Sequence, residues 1–518
     1  MKNLARLFIS FLVLCSGSLA SADIRLSSLF SSGMVLQRDV PTRISGYADP
    51  GEDVIVIVGD QLIGQAMGLG QGKMWSVTLP IFSAGPIEDI LVKGNNEVRL
   101  TDLLAGDVWI CSGQSNMEMS LAKGPWCPYG GVVNEAEEIA AANYPRIRLL
   151  TSTGKEGWSA CTAESVKSFS AAGYFFGREL HKELDVPIGL VQAAGGGTPA
   201  EYWVPRKARE GWPEFAAELE SARKVLSELK PVFDADRAAW AEWRKTSLEA
   251  QKRGLPVSEA PVPKLTDAER DMVRAAIHVD TTGQGYASRI LPLTVMPVRG
   301  VIWYQGEANT ARATHYAELM RQLIAGWRAD WDQPDLPFVI MQLANFGGGG
   351  GGTWPALRAA QKEVVDTVPV TALAIAIDIG EEKDIHPKNK QDVGKRLALV
   401  AMEQIYGMDV VASGPTPEAA EFTDGKVRLT FAPGGRDQHL VFRSELGSGF
   451  EVAGADGKFM PASAVEAVGN TLVLASPQVA EPQLVRYAWA DNPSASLFNT
   501  QGLPAAPFRL SIGTEGNE

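Results

Sequence analysis

Histidine and cysteine are scarce in this chain, with five His and four Cys among 518 residues. No Cys/His cluster has the spacing of a zinc site, and none of the sequence reads as a metal centre. There is no G-x-x-x-x-G-K-[ST] segment, so a phosphate loop of that kind is excluded. The six glycines 347–352 lack a helix-capping sequence behind them and read as a flexible loop tip. Basic runs are missing too: 48 Lys and Arg stand against 61 Asp and Glu, a formal charge of −13. Neither nucleic acid nor an anionic membrane surface is an expected partner for such a chain.

What is present is an ordinary globular composition, 45% hydrophobic and 21% charged, which sets aside long disorder, collagen-like repeats and coiled coils. At about 100–200 residues per domain, the length predicts two to four domains with their own cores. The first 22 residues stand apart. Lys2 and Arg6 precede the apolar run Leu7–Leu14, and Ala20-Ser21-Ala22 closes the segment. A basic start, a short apolar run and small residues predict a secretory signal peptide over 1–22, hence a periplasmic or secreted protein. The run falls short of the ~18 residues that a membrane-spanning helix needs. Removing residues 1–22 takes away two positive charges and shifts the net charge from −13 to −15. Cys111, Cys127 and Cys161 then remain. Cys111 lies in an apolar strand-like run, so the expected bridge is Cys127–Cys161.

Residues 23–105 alternate short β-rich runs such as Val54–Val58, Trp75–Leu79 and Glu97–Leu100 with turn signals, which predicts a β-sandwich-like domain. Residues 106–410 alternate apolar strand-like runs with helical patterns, the signature of an α/β domain around a parallel sheet. The expected strands are Asp107–Cys111, Ile188–Ala193, Gly300–Tyr304, Pro337–Gln342 and Leu373–Asp378. Residues 206–280 read as a helical insertion. Phe215, Leu219, Ala222, Leu226 and Leu229 mark one helix face, and Trp240 and Trp243 lie on a second helix. This insertion reads as packing on the domain, with a cleft wall or lid as the other reading. Residues 411–518 return to short strands and predict a second β-domain.

Chemistry gathers where the predicted strands end, the edge at which parallel sheets build their sites. Gly113-Gln114-Ser115-Asn116-Met117 follows the first strand; a small Gly before a Ser lets the hydroxyl project, and a helix start there aims N–H groups and a positive dipole end at it. Asp384-Ile385-His386-Pro387 follows the last. His386 is the one histidine in a polar loop beside an acid, whereas His181, His278, His315 and His439 read as surface or packing residues. Such a His is suited to take a proton from a Ser while a carboxylate orients its ring. Gln305-Gly306-Glu307-Ala308-Asn309 places amides that can donate to an oxyanion, and Gly195-Gly196-Gly197-Thr198 lets backbone N–H groups approach a substrate oxygen.

Taken together and in this order, these segments resemble the sialate O-acetylesterase family of SGNH-type serine esterases. The resemblance spans nearly all of the chain after residue 22, from Gly106–Met117 and Val186–Leu190 through Ile302–Glu307 and Asp384–Lys390 to Tyr487–Pro493. It implies an SGNH-hydrolase-like three-layer α/β domain with a parallel sheet, flanked by the β-sandwich-like domains. It implies Ser115 as nucleophile, His386 as general base and Asp384 as its orienting acid, with Glu307 a rival for the last role. Ser115 N–H, a Gly of the 196–197 pair and the Asn309 side chain would form the oxyanion hole, with Gln305 near the substrate. No cofactor or metal is implied. The chain departs from the family pattern at Gly195, where Trp is usual before Gly-Gly-Thr, and at Ser288-Arg289, where Asn-Gly is usual.

The expected function is removal of O-acetyl groups from a carbohydrate through an acetyl-enzyme. The expected partner is an acetylated oligo- or polysaccharide: a plant glycan such as xyloglucan or xylan, or O-acetylated sialic acid. Net acidity and an open Gly195 favour a neutral plant glycan. A carbohydrate-binding protein on an esterase fold, without catalysis, is the alternative.

Overall fold

A computed structural model describes residues 23–514 apart from Ser28, Gln71, Lys155, Gly350, 433–438, Ser444 and 446–448. The expected signal segment 1–22 lies outside the described residues. Seven strands form the central sheet: β1 Leu103–Gly113, β2 Tyr144–Thr151, β3 Ser159–Cys161, β4 Ile188–Ala194, β5 Gly300–Tyr304, β6 Phe338–Met341 and β7 Thr371–Ala374. Their spatial order is β3-β2-β4-β1-β5-β6-β7, parallel throughout except for the edge strand β3.

Alternation along each strand supplies two cores at once. On β1, Val108 and Ile110 face one core while Trp109 and Cys111 face the other; on β5, Val301 and Trp303 oppose Ile302 and Tyr304. Helices close both faces. Ala171–Leu184 and Lys390–Gln404 bury Phe175, Phe176, Val393 and Leu397 on one side, whereas Ala313–Trp331 and Trp354–Thr367 bury Leu319, Trp327, Trp354 and Leu357 on the other. This explains the near-continuous apolar strands: β1, β4, β5 and β6 are buried throughout and have no solvent face. Burying a side chain as large as Trp303 or Trp327 stabilises such a core by roughly 2–3 kcal/mol.

Three differences from the sequence reading have physical causes. Strand β2 was not expected, because Arg146 and Arg148 interrupt its apolar pattern; Arg148 is buried and pairs with Asp102 at 2.5 Å. The last strand ends at Ala374 rather than Asp378, whose carboxylate turns to Arg396 at 2.5 Å. The boundary expected at 105/106 falls inside one strand, for β1 begins at Leu103. Its first residues pair with Val35–Gln37 and Gly85–Ile87, and the rest with β4 and β5, so the N-terminal β-region and the sheet share a backbone.

That N-terminal region holds a three-stranded and a four-stranded antiparallel sheet. Residues after Thr416 form an eight-stranded sheet with its own core around Phe431, Phe450 and Tyr487. It is braced on the α/β part by the fully buried Arg358, which donates to the Ala490 carbonyl at 2.7 Å and the Asp491 carbonyl at 2.8 Å.

In the insertion, Phe215 to Lys252 is one continuous helix through Pro231, where two were expected. It packs with Asp267–Asp280 around Phe233, Leu265 and Val273. The three cysteines are free and buried, which corrects the expected Cys127–Cys161 bridge. Cys161 faces the core from the edge strand β3, and burial pushes its thiol up to about 12, so it stays a protonated, inert thiol.

Candidate active site

Strand β1 ends at Gly113, whose φ of +139° and crowding both demand glycine: a Cβ there would lie 2.1 Å from the Tyr304 carbonyl oxygen of the paired strand β5. Gln114 then leaves the sheet in extended conformation, and Ser115 starts the helix Ser115–Glu118. That helix has a single turn, so the dipole expected behind Ser115 is small; what it keeps are first-turn N–H groups without an intrahelical acceptor. Gln114 also ties the neighbouring strand end down. Its Oε1 accepts from Gln305 Nε2 at 3.1 Å and Ala308 N at 3.2 Å.

Ser115 opens on a cleft of about 710 Å³ at the C-terminal edge of the sheet, where Gly195–Thr198, Glu307 and His386 also lie. Gly196 stands beside the nucleophile: a Cβ built on it would lie 3.7 Å from the Ser115 Cβ. Among the described residues the Ser115 hydroxyl makes no hydrogen bond, and His386 lines the same cleft. The His386 ring lies stacked on Tyr129, with centroids 4.4 Å apart and planes 16° from parallel. Asp384 Oδ1 accepts from the His386 backbone N–H at 2.9 Å and stands 3.7 Å from its Nδ1. Burial holds the imidazole below its ordinary value, helped by Lys390 and Lys388 and opposed by Asp384.

The second carboxylate is held differently. Glu307 Oε1 accepts from Asn116 Nδ2 at 2.5 Å, and Oε2 is buried without a partner among the described residues. Burial pushes this carboxyl up, against the Asn116 hydrogen bond and Lys390. Lys390 is itself fully buried, donates to Asn116 Oδ1 at 2.9 Å and Pro387 O at 2.8 Å, and is pushed down to about 7 by burial. Asn116 therefore links the helix after the nucleophile to the loop that carries His386.

Two of the expected substrate residues are not brought to the cleft. Asn309 is fully buried beneath it; its Nδ2 donates to Glu201 at 2.8 Å, and its Oδ1 accepts from Ala200 N at 2.9 Å and Gln305 Nε2 at 2.8 Å. Gln305 is equally buried and ties Gln114, Thr198 and Asn309 together. These amides lie under the cleft rather than among its lining residues and are held by buried partners. The insertion 206–280 contributes no side chain to the cleft wall either.

Two lining residues, Glu118 and Tyr129, escaped the sequence reading. Glu118 Oε2 accepts from Gly196 N–H at 2.9 Å and from the Tyr129 hydroxyl, so this carboxylate occupies the expected oxyanion donor. Its position three residues after Ser115, on the same helix face, was a usable signal. Tyr129 sits in an irregular segment with no sequence signal; burial and Glu118 push its hydroxyl up, which keeps it a neutral donor. Arg289, at one of the two positions that depart from the family pattern, also lines the cleft and donates to the Ala194 carbonyl.

The family pattern described as "Carbohydrate esterase, sialic acid-specific acetylesterase" matches residues 105–233 and 285–403. The sialate O-acetylesterase of Rattus norvegicus is 29% identical over 96% of this chain and 96% of its own length. That of Homo sapiens is 28% identical over 98% of this chain and 96% of its own. Among solved structures, a carbohydrate acetylesterase from Xanthomonas citri is 32% identical, with a TM-score of 0.75 over 94% of this chain and 99% of that one.

Proposed function

Because the chain belongs to the sialic acid-specific acetylesterase family of carbohydrate esterases, and is a carbohydrate O-acetylesterase, we propose that it works through Ser115 and His386. The observation that carries this reading is one cleft holding Ser115, Gly196 and His386 at the C-terminal edge of a parallel sheet. His386 Nε2 takes the Ser115 proton as Oγ attacks the acetyl carbonyl carbon, and the C=O bond becomes a tetrahedral oxyanion. Ser115 N–H and Gly196 N–H receive that oxyanion, with Glu118 giving up its bond to Gly196. His386 then hands its proton to the departing sugar oxygen, and water hydrolyses the acetyl-serine to acetate by the same route.

Asp384 is the orienting acid in this proposal. It already holds the His386 backbone and lies on the Nδ1 side of the ring, whereas Glu307 is committed to Asn116. The substrate is an acetylated glycan, from xylan and xyloglucan to O-acetylated sialic acid, and the N-terminal segment supports export. Hydrolysis of p-nitrophenyl acetate by wild type and by Ser115→Ala tests the mechanism. Loss of nearly all activity in the variant is expected; equal rates would return the cleft to a binding role.

A further inference from the structure

Resting on the acetylesterase reading of this cleft, we propose that Arg289 sets its specificity by pairing with a carboxylate on the acetylated sugar. The two positions at which the chain departs from its family pattern meet in space. A Cβ built on Gly195 would lie 3.1 Å from Arg289 Nη1, so the guanidinium occupies the room that a side chain at 195 would take. One turn of π-helix, Tyr286–Ile290, carries Arg289 there, and both of its ends are anchored. The Tyr286 hydroxyl donates to Asp330, and Ile290 is fully buried. Such turns interrupt regular helix geometry and recur at functional sites.

The charges around Arg289 decide what it can receive. Two carboxylates line the same cleft and both are engaged elsewhere: Glu118 with Gly196 N–H and Tyr129, Glu307 with Asn116. Among the described residues no carboxylate pairs with Arg289, whose partner is the neutral Ala194 carbonyl. A guanidinium offers five N–H donors in a planar fork, which matches a carboxylate bidentately. The cleft thus presents a guanidinium that, among the described residues, no carboxylate pairs with, in the same cleft as Ser115. The net charge of −13 does not oppose this, since exposed charges are screened beyond about 8 Å while Arg289 acts at contact. The ligand chemistry is a sugar carboxylate, borne by a uronic acid on acetylated xylan or by an O-acetylated sialic acid.

Acetate release is measured on acetylated glucuronoxylan oligosaccharide and on O-acetylated sialic acid, each beside its uncharged carboxamide form. Wild type is expected to favour the charged member of at least one pair by about tenfold in kcat/KM, with KM rising in salt. Arg289→Met erases that preference, Arg289→Lys restores part of it and Arg289→Glu inverts it. The pair that responds identifies the source of the carboxylate. The ratio of charged to neutral substrate isolates this effect from any general loss through the Ala194 contact. A wild type that treats both members of each pair alike, or a preference that survives Arg289→Met, overturns the proposal. Should Arg289→Met not fold, the Lys and Glu variants carry the same comparison. Inactivity of wild type on every substrate, p-nitrophenyl acetate included, overturns the acetylesterase reading instead.

Discussion

The two sides of the cleft are built on different principles. On the nucleophile side, all eleven residues of β1 are buried, and Gly113 admits no side chain, so Ser115 is placed by backbone packing. On the base side, His386 sits in an irregular loop between β7 and the helix at Lys390, placed by the Asp384 bond to its backbone, ring stacking on Tyr129 and the Asn116 bond to Ile385 O. Packing is costly to disturb and polar loop contacts exchange readily with solvent or ligand. Fold and nucleophile should therefore fail together on one side, whereas the other side should lose activity while the fold persists.

The largest effect belongs to the nucleophile itself: Ser115→Ala should lower kcat on p-nitrophenyl acetate by roughly 10³–10⁶-fold with an unchanged melting temperature. On the loop, Asp384→Asn should lower kcat by about 10²–10⁴-fold, well beyond Glu307→Gln, again without unfolding. The reverse order would move the orienting acid to the sheet side and break the contrast. Gly113→Ala should cost about 3 kcal/mol or more of stability, read from the urea midpoint, because its Cβ meets the Tyr304 carbonyl. A variant as stable as wild type would show that packing does not place Ser115. The smallest effect is on pH. His386 acts neutral and its pKa is lowered from 6.5, so the acid limb of kcat/KM should lie below that value. Asp384 raises the imidazole, so Asp384→Asn should push the limb lower still; a rise would mean that another carboxylate faces the ring.

Much of this was legible before any coordinates, for stated reasons. Strands buried on both faces leave long apolar runs, and three of the five expected strands begin and end within about one residue of the observed ones. Strand β2 was hidden because the buried Arg148 finds its partner, Asp102, 46 residues away in sequence. Ser115, Gly196, Glu307 and His386 were singled out and share the cleft. An amide in a polar motif looks alike whether it faces a substrate or a buried carboxylate, so the sequence does not show how Asn309 is held. Only the fold shows that Glu201 is its partner.

Local pattern therefore determined the layered α/β architecture, the strand ends that carry polar residues, and the scarcity of histidine that singled out His386. Those features depend on neighbours a few residues apart, which periodicity and turn chemistry report directly. Tertiary structure decided which side chains meet across long separations: Glu118 on the Gly196 N–H, Tyr129 under the base, and Arg289 in the space left open at Gly195. Each pairs residues far apart in sequence, and their proximity exists only once the sheet brings the Ser115, Gly195–Gly197 and His386 segments to one edge.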